Sequence, residues 1–375
     1  MSVTASVNTV HVYLGDRSYD VAVGSGLLAE AGDRIRSLGT ISKLIIVTNS
    51  TVRELYGKAL ASALDGVAEQ HWVEIPDGER FKTIQTVTTI WDAALAARAD
   101  RRSVIVALGG GVVGDIAGFA AATLLRGVRF VQIPTTLLAQ VDSSVGGKTG
   151  VNTGQGKNLV GAFHQPSLVL ADIDVLASLD DRNYRAGLAE VVKYGVILDE
   201  AFFATMESRT DDLVARDAAL LVEVVARSVA LKAQVVSEDE HETGLRRILN
   251  FGHTVGHAIE RAGDYDRFLH GEAVAMGMGA AARISNQVGA CDSDTPKRLA
   301  RLLTALGLDA SVPADLPLDV LHDAIGHDKK VTSEHVVFII CEAIGRVTER
   351  NLTPAEISAV LAAERQAGQE GNADV

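Results

Sequence analysis

Short aliphatic and β-branched runs alternate with helical patterns through the first half of the chain. Lys43–Thr48, His71–Ile75 and Ser103–Leu108 are apolar with little alternation, which is typical of parallel strands buried on both faces. Each run ends in polar residues or glycines and leads towards a helical pattern, such as residues 83–98. This order predicts βαβ units and therefore an α/β domain.

Two further strands are predicted at residues 128–133 and 167–172, and a β-hairpin at residues 9–23. After about Asp181 the pattern becomes helical, apart from a strand at 336–341. Helices are predicted there at 184–198, 211–236, 250–262, 271–288, 296–306, 316–326 and 354–365. We therefore divide the chain into an α/β domain (1–178), a mostly helical domain (179–365) and a disordered tail (366–375), and expect the site between the two domains.

Composition narrows the class of protein. The chain has 375 residues, 47% of them hydrophobic, and a formal charge of −13, which disfavours binding to nucleic acid or to anionic membranes. No apolar run reaches membrane-spanning length and no signal sequence is evident, so we expect a cytoplasmic protein. Cys291 and Cys341 are far apart and lack a CxxC pattern, which indicates neither a disulfide framework nor a thiolate zinc site.

A glycine-rich turn follows the strand that ends at Leu108. Gly109, Gly111 and Gly114 satisfy GxGxxG between a strand and a helix, where backbone N–H groups can bind a pyrophosphate. The acidic residue usually found about 20 positions later is absent. The turn therefore predicts a Rossmann-like phosphate site, but not an ordinary Rossmann fingerprint.

Residues 140–152, with Gly156–Asn158 soon after, form the least ordinary segment of the first half. We expect a long functional loop here. Its Gly-Gly-Lys-Thr stretch lacks the GxxxxGK spacing, so we exclude a P-loop NTPase. Its polar residues suit a polyhydroxylated, anionic ligand: Asp142, Lys148, Lys157 and Asn158.

The segment Asn250–Glu260 has the pattern of a metal site. His253 and His257 are four residues apart and share one helix face, and His270 follows in the segment His-Gly-Glu. Gly252 and Gly256 weaken a helix, and close approach of a ligand or neighbouring helix explains them best. Glu190 could complete a site of two histidines and one carboxylate, with an open position. Spacing alone nominates the pair His253 and His257.

Cations in the second half extend this pattern. Glu190 and Lys193 lie one turn apart among Ala and Val residues, which favours a buried or cleft-facing ion pair over a solvated one. Six basic residues together would suit phosphate and carboxylate groups: Lys148, Lys157, Lys193, Lys232, Arg246 and Lys330.

These motifs, taken in order, resemble the 3-dehydroquinate synthase family over nearly the whole chain. The segments that carry the resemblance are Gly109–Asp115, Leu125–Phe130, Pro134–Thr149, Ala189–Gly195, Arg246–Glu260, His270–Glu272 and Asp328–Lys330. The family more often has Thr-Leu-Pro where this chain has Ser178-Leu179-Asp180, which weakens the assignment of the adenosine side there, and the segment after Lys330 is not closely matched.

The resemblance implies roles for individual residues. The metal, zinc or cobalt, would be bound by Glu190, His253 and His270, with His257 on the substrate side. NAD would lie against Asn49, Glu79, Lys82, Gly109, Gly110, Gly111, Val112, Asp115, Thr135, Thr136, Asp142, Lys157, Ser178 and Leu179. The substrate would be held by Asp142, Lys148, Asn158, Lys193, Lys232, Arg246, Asn250, His257 and Lys330, with Arg126 reaching across from the second subunit of a homodimer.

The resemblance also implies a reaction. Here 3-deoxy-D-arabino-heptulosonate 7-phosphate would become 3-dehydroquinate and phosphate. The steps would be transient oxidation by NAD, β-elimination of phosphate, re-reduction, ring opening and intramolecular aldol closure, in the shikimate pathway.

Two other enzyme classes and one non-enzymatic class compete with this interpretation. A sister sugar-phosphate cyclase of secondary metabolism would act on another phosphorylated sugar, and Arg246, Asn250 and His257 favour the heptulosonate over it. A metal-dependent alcohol or glycerol dehydrogenase would release NADH and would not need so many lysines. A nucleotide-sensing or scaffold protein is disfavoured because every candidate metal ligand is present.

Overall fold

The computed structural model describes residues 7–326, 331–332 and 335–373. The chain divides into two compact units. The first consists of Met1–Asp180 and Arg216–His241, and the second of Asp181–Ala215 and Glu242–Val375. Among the described residues, no helix combines the length and apolar character needed to cross a bilayer.

Strands and helices are numbered along the chain. The strands are β1 (Asn8–Val12), β2 (Tyr19–Gly24), β3 (Lys43–Thr48), β4 (Glu69–Glu74), β5 (Val104–Gly109), β6 (Arg129–Pro134), β7 (Lys148–Thr153), β8 (Gly156–Phe163), β9 (Leu168–Asp172), β10 (Val331–Thr332), β11 (His335–Ala343) and β12 (Arg346–Leu352). The α-helices are α1 (Leu27–Arg36), α2 (Ser50–Val52), α3 (Lys58–Ala63), α4 (Ile84–Ala96), α5 (Gly111–Thr123), α6 (Asp181–Leu198), α7 (Glu200–Ser208), α8 (Thr210–Val214), α9 (Ala218–Glu238), α10 (His253–Ala262), α11 (His270–Gln287), α12 (Asp294–Ala305), α13 (Leu318–Gly326) and α14 (Pro354–Ala373).

A seven-stranded sheet forms the centre of the first unit, in the order β1-β2-β9-β6-β5-β3-β4. All neighbouring strands are parallel except β1 and β2, which form the predicted hairpin. The strand order reverses between β3 and β5, because β4 lies on one side of β3 and β5 lies on the other. In open α/β sheets a ligand crevice forms at such a reversal, at the carboxyl ends of the strands.

Both faces of this sheet are buried, as the unbroken apolar runs predicted. Successive residues of β3 point to opposite faces, so Ile45 and Val47 join one core cluster while Leu44 and Ile46 join the other. Helices α4 and α5 cover the first face, and α1 and α3 cover the second. This packing confirms the predicted α/β architecture of the first half.

The second half of the segment expected to be a long loop, from Lys148 onwards, is ordered as a hairpin. Strands β7 and β8 pair antiparallel, with Lys148 opposite Phe163. A Cβ built on Gly161 would lie 2.1 Å from the carbonyl oxygen of Thr149, so this glycine allows the two backbones to approach. Gly150 and Gly156 are therefore strand residues, whereas Gly146 and Gly147 lie before β7.

The second unit is mostly helical, as predicted, and also contains a three-stranded antiparallel sheet, β10-β11-β12. Helices α10 and α11 pack at very short distance through glycines. A Cβ on Gly277 of α11 would lie 2.0 Å from the carbonyl oxygen of Gly252, and one on Gly256 would lie 3.1 Å from that of Ala273. The expected close approach at Gly252 and Gly256 is thus made by the neighbouring helix.

Three predictions about the chain's organisation need correction. The predicted helix 211–236 is two helices, because Arg216 has a positive φ and Asp217 caps α9 by accepting a hydrogen bond from the backbone N–H of Leu220. Helix α9 belongs to the first unit, although the sequence pattern placed it in the helical half. The tail expected to be disordered from residue 366 is helical as far as Ala373, because its Gln, Glu and Ala residues continue α14 despite two glycines.

Candidate functional site

The glycine-rich turn lies where the strand order of the first unit reverses. β5 ends at Gly109 and α5 begins at Gly111, with Gly110 in extended conformation before it. The first backbone N–H groups of α5 have no partner within the helix and point out of its N-terminus. This end of the helix is therefore suited to an anionic group, as the sequence indicated.

Neighbouring side chains pack closely against the glycines of this turn. A Cβ on Gly110 would lie 3.0 Å from Cγ2 of Thr136, and one on Gly111 would lie 2.9 Å from Oγ of Ser143. One on Gly114 would lie 2.6 Å from the side-chain oxygen of Gln132 on β6. The turn thus combines a helix N-terminus, whose first N–H groups have no partner within the helix, with close side-chain packing around its glycines.

Other predicted cofactor residues surround the carboxyl ends of the same strands. Asn49 follows β3, accepts a hydrogen bond from the backbone N–H of Val52 and donates one to Asp77 at 3.0 Å. Thr135 follows β6, and its N–H donates to the carbonyl oxygen of Gly109 at 3.0 Å. Val112 and Thr136 lie close to the glycine-rich turn. Ser178 is exposed, and its Oγ lies 2.5 Å from the hydroxyl of Tyr56. Leu179 follows Ser178 in the sequence.

Lys82 lies at the centre of a polar network in the first unit. This lysine is 4% exposed, and its Nζ donates to the carboxylate of Asp115 and to Oδ1 of Asn158, each at 2.5 Å. Burial disfavours the charged amine, but the charges of Asp115 and Glu79 outweigh it and raise the pKa of Lys82. Lys82 therefore stays protonated, next to the hairpin residue Asn158.

The same network fixes the hairpin. Asn152, which the sequence did not single out, donates to Oε1 of Glu79 at 2.7 Å and accepts from the backbone N–H of Asn158 at 3.0 Å. Asn158 has a φ of 55°, a conformation that asparagine tolerates better than most residues. Lys148 is exposed and Lys157 is half-buried, both on the same hairpin.

Lys232 and Asp142 form a second buried contact in the first unit. Lys232, on α9, is 5% exposed and donates to the carbonyl oxygen of Asp142 at 2.6 Å and to its carboxylate at 2.8 Å. Asp142 lies in a wide helical turn, Ala139–Ser143. Two predicted substrate residues that are 90 positions apart are therefore in direct contact.

The second unit brings three predicted metal ligands together. Oε1 of Glu190, on α6, lies 3.6 Å from Nε2 of His253 and 3.6 Å from Nε2 of His270. One ligand atom of each residue lies within 4.8 Å of the other two. Glu190 is fully buried and His253 is 9% exposed. Two imidazole nitrogens and one carboxylate oxygen form a donor set that suits a divalent transition metal.

The other atoms of these ligands are also engaged. Oε2 of Glu190 forms an ion pair with the buried Lys193, one turn along α6, as the sequence indicated. Nδ1 of His253 lies 3.1 Å from the carbonyl oxygen of Phe251. Nδ1 of His270 lies 3.4 Å from Oε2 of Glu260.

The electrostatics at His270 favour positive charge. Burial disfavours its protonated imidazole, but the hydrogen bonds to Glu190 and Glu260, and their negative charges, prevail and raise the pKa of His270 to about 10. A divalent metal would supply the same positive charge between the two carboxylates. The residues present therefore fit a metal ion.

The remaining predicted substrate residues have different environments. Arg246 is 2% exposed, and His257 is exposed on α10, its ring centre 5.5 Å from that of His253. Asn250 donates to the side chain of Glu242 at 2.7 Å. Lys330 lies outside the described residues.

Arg126 lies on a strained turn of the first unit. Leu125, Arg126 and Gly127 all have positive φ, at 52°, 68° and 116°, and Arg126 is exposed. A positive φ in a non-glycine residue costs roughly 1–3 kcal/mol of conformational free energy, and Leu125 and Arg126 both adopt one. Such backbone strain clusters at functional sites.

Sequence reasoning missed two acidic residues beside the predicted ones. Glu260 lies next to His270, and together with His257 it forms a second group that could hold a metal. Glu242 contacts Asn250. Glu260 lies seven residues, about two helical turns, after His253, and this spacing is the only signal in the sequence that places the two on one face.

The comparisons with known proteins decide the family. A family model described as the N-terminal part of 3-dehydroquinate synthase matches residues 72–186, and one described as its C-terminal part matches residues 187–331. The chain belongs to the 3-dehydroquinate synthase family.

A curated member of this family, the 3-dehydroquinate synthase of Paracoccus denitrificans (strain Pd 1222), is 50% identical over 368 residues. The match covers 96% of this chain and all of the relative. Together with the two family models, it confirms the resemblance inferred from the motifs.

Solved structures support the fold. A 2-deoxy-scyllo-inosose synthase in complex with carbaglucose-6-phosphate, NAD+ and Co2+ matches with a TM-score of 0.86 and 30% identity, over 94% of this chain and 99% of that one. A 2-epi-5-epi-valiolone synthase from Streptomyces hygroscopicus subsp. jinggangensis 5008, with NAD+ and Zn2+ bound, matches with a TM-score of 0.85 and 32% identity, over the same shares. Proteins with the 3-dehydroquinate synthase fold thus include enzymes that bind NAD and a divalent metal.

Proposed function

We propose that this chain converts 3-deoxy-D-arabino-heptulosonate 7-phosphate to 3-dehydroquinate and phosphate, as an NAD- and metal-dependent carbon–oxygen lyase. The observation that carries the proposal is the buried group of Glu190, His253 and His270, with Lys193 paired to Glu190, in a chain of this family. A metal and a buried cation held by one carboxylate suit a substrate that has both hydroxyl and anionic groups.

We propose Zn2+ or Co2+ as the metal, since two imidazoles and one carboxylate suit both ions. The turn Gly109–Val112 and the network around Lys82 would hold NAD, with Asn49, Asp115, Thr135, Thr136, Lys157, Ser178 and Leu179 as further candidates. When bound, the nicotinamide supplies reversible hydride transfer and the metal supplies Lewis-acid polarisation of substrate hydroxyls.

The protein's own residues would bind and orient the substrate. Glu190 presents Oε1 to both imidazoles and Oε2 to Lys193, so one carboxylate can serve as a metal ligand and also form an ion pair with a neighbouring lysine. Arg246, which is buried and permanently charged, suits a carboxylate or phosphate group. His257, exposed one turn after His253, suits the phosphate.

Further residues complete the proposed substrate set. They are Asp142, Lys148, Asn158, Lys232, Asn250 and Lys330. Their net positive charge would hold the departing phosphate in place, where its own oxygens can accept a proton from the substrate. We expect most of the rate enhancement to come from this alignment.

We also propose a cytoplasmic homodimer in which Arg126 serves the site of the second subunit. The strained turn that presents the exposed Arg126 supports this role. Analytical ultracentrifugation would test the dimer. Mixing two inactive variants, Arg126→Ala and Glu190→Ala, would test the sharing, because about a quarter of the full activity should return if the site is shared.

The activity test uses purified, metal-loaded protein with the heptulosonate 7-phosphate and a catalytic amount of NAD. Phosphate release and absorbance from NADH are followed together, with Glu190→Gln as the inactive control. We expect phosphate far in excess of NAD and no accumulation of NADH, because the hydride returns to the substrate.

Other outcomes would identify the competing enzymes. Phosphate release only from other sugar phosphates would indicate a sister cyclase, the class of the two solved structures described above. NADH accumulating with simple alcohols would indicate a dehydrogenase. Either result would overturn the proposed function.

A further inference from the structure

Glu260 is a buried carboxylate on α10 with no role in the steps above. Its residue is 6% exposed, and Oε2 lies 3.4 Å from Nδ1 of His270. A carboxylate at this depth is costly unless it has a charged or hydrogen-bonded partner. The contact with His270 is therefore a specific feature of the site.

His270 contacts one carboxylate with each ring nitrogen. Nε2 lies 3.6 Å from Glu190 and Nδ1 lies 3.4 Å from Glu260. A neutral imidazole carries its proton on one nitrogen only, and a carboxylate favours the N–H that it accepts from. With a metal in place of the second proton, Glu260 would therefore favour the remaining proton on Nδ1, which leaves the lone pair of Nε2 to the metal beside Glu190.

His253 has the same arrangement with a weaker partner. Its Nε2 also faces Oε1 of Glu190 at 3.6 Å, and its Nδ1 lies 3.1 Å from the carbonyl oxygen of Phe251. Both imidazoles thus present Nε2 to one point. A backbone carbonyl orients the first and a charged carboxylate orients the second.

We propose that Glu260 is a positioning residue that fixes the tautomer and orientation of His270 and increases its strength as a metal ligand. The proposal rests on the metal site of the proposed function. Outer carboxylates of this kind typically change metal affinity by about 10- to 100-fold. Glu260 thus acts on the metal through His270, without binding it.

A competing arrangement uses the same residues. His257, Glu260 and His270 also have ligand atoms within 4.8 Å of one another and could bind a metal directly. That arrangement would use Nδ1 of His270 and would end its hydrogen bond with Glu260. It predicts a second metal site in which Glu260 is itself a ligand, so the binding of a second ion would distinguish it from the proposed role.

The test measures Co2+ binding to the full-length protein by competition with a coloured chelator, together with the visible absorption of the bound Co2+. The parent is compared with Glu260→Gln, which removes the charge at constant size, and with Glu260→Asp, which keeps the charge but shortens its reach. The matched control is Glu272→Gln on α11. Glu272 lies two residues after His270. Its carboxylate accepts hydrogen bonds from Arg182 and from the backbone N–H of Leu269, which caps the N-terminus of α11.

We expect one Co2+ per parent chain, and about 10- to 100-fold weaker binding with a changed absorption spectrum in Glu260→Gln. Glu260→Asp should show a smaller loss, and Glu272→Gln should keep the parent's affinity and spectrum. If Glu260→Gln does not fold, the affinity and spectrum of Glu260→Asp decide the question.

Two results would overturn the inference. The first is parent-like affinity and spectrum in the Glu260 variants. The second is two Co2+ per parent chain with one lost in Glu260→Gln, because Glu260 would then be a ligand. A parent protein that binds no Co2+ or Zn2+ would instead refute the metal site of the proposed function.

Discussion

Replacing Gly277 of α11 by alanine should destabilise the protein, although alanine is the better helix former. In an open helix the change stabilises by about 1 kcal/mol. Here the added methyl would lie 2.0 Å from the carbonyl oxygen of Gly252 and 2.7 Å from the backbone nitrogen of Gly256. Cβ atoms essentially never approach closer than 3.0 Å, so α10 and α11 must move apart by about 1 Å.

The movement should reach the proposed metal ligands. Gly252 directly precedes His253, while Gly277 is on the same helix as His270. Metal–ligand distances tolerate changes of only about 0.2 Å. We therefore expect Gly277→Ala to lose about 1–3 kcal/mol of unfolding free energy, the usual cost of overpacking, and to bind Zn2+ at least about tenfold more weakly.

The matched control is Gly256→Ala at the same helix contact. Its methyl would lie 3.1 Å from the carbonyl oxygen of Ala273, so a shift of a few tenths of an ångström suffices, and the gain in helix propensity offsets much of the cost. Urea unfolding of both variants, with and without Zn2+, gives the stabilities, and chelator competition gives the affinities. Equal stability and parent-like Zn2+ affinity in Gly277→Ala would refute the argument from close packing.

Three further predictions concern single side chains. Alanine in place of any one proposed metal ligand should abolish metal binding, whereas His257→Ala should retain the metal, and metal analysis of the purified variants checks both. Burial raises the pKa of the Cys341 thiol to about 12, so roughly one molecule in 10⁴ carries the thiolate at pH 8. Ellman's reagent should therefore react with Cys341 only after unfolding, and rapid reaction of both Cys341 and the partly exposed Cys291 in the native protein would contradict the burial of Cys341. Asp172→Ala should cost about 2–4 kcal/mol in urea unfolding, because the carboxylate accepts from three backbone N–H groups, including those of Gly26 and Leu28.

The buried sheet of the first unit could be predicted because both of its faces are apolar. Runs such as Ile45–Val47 leave few alternatives to a parallel strand. The β7–β8 hairpin could not be predicted in the same way, because Gly150 reads as a loop residue. A Cβ on this glycine would lie 2.6 Å from the carbonyl oxygen of Val160 on the other strand, which only the paired structure reveals.

Part of the candidate site was accessible to sequence reasoning for a similar reason. Spacing along one helix nominated His253 and His257, since a helix fixes which of its own residues share a face. Glu190 is 63 positions before His253, so its distance from the imidazoles depends on how α6 packs against other helices. The resemblance to a family supplied that information. The role of Glu260 could not be predicted from its own helix, because its partner His270 belongs to the next helix.

The assignment of α9 to the first unit has a consequence for how the chain folds during its translation. The chain leaves the first unit after Asp180, returns at Arg216 and leaves again after His241. Helix α9 packs against β1, at the very beginning of the chain. A ribosome must therefore translate beyond residue 241 before the first unit can close, and a fragment that stops near residue 180 lacks one of its own helices. Expression of the isolated first unit would require a rearranged gene that joins α9 to it.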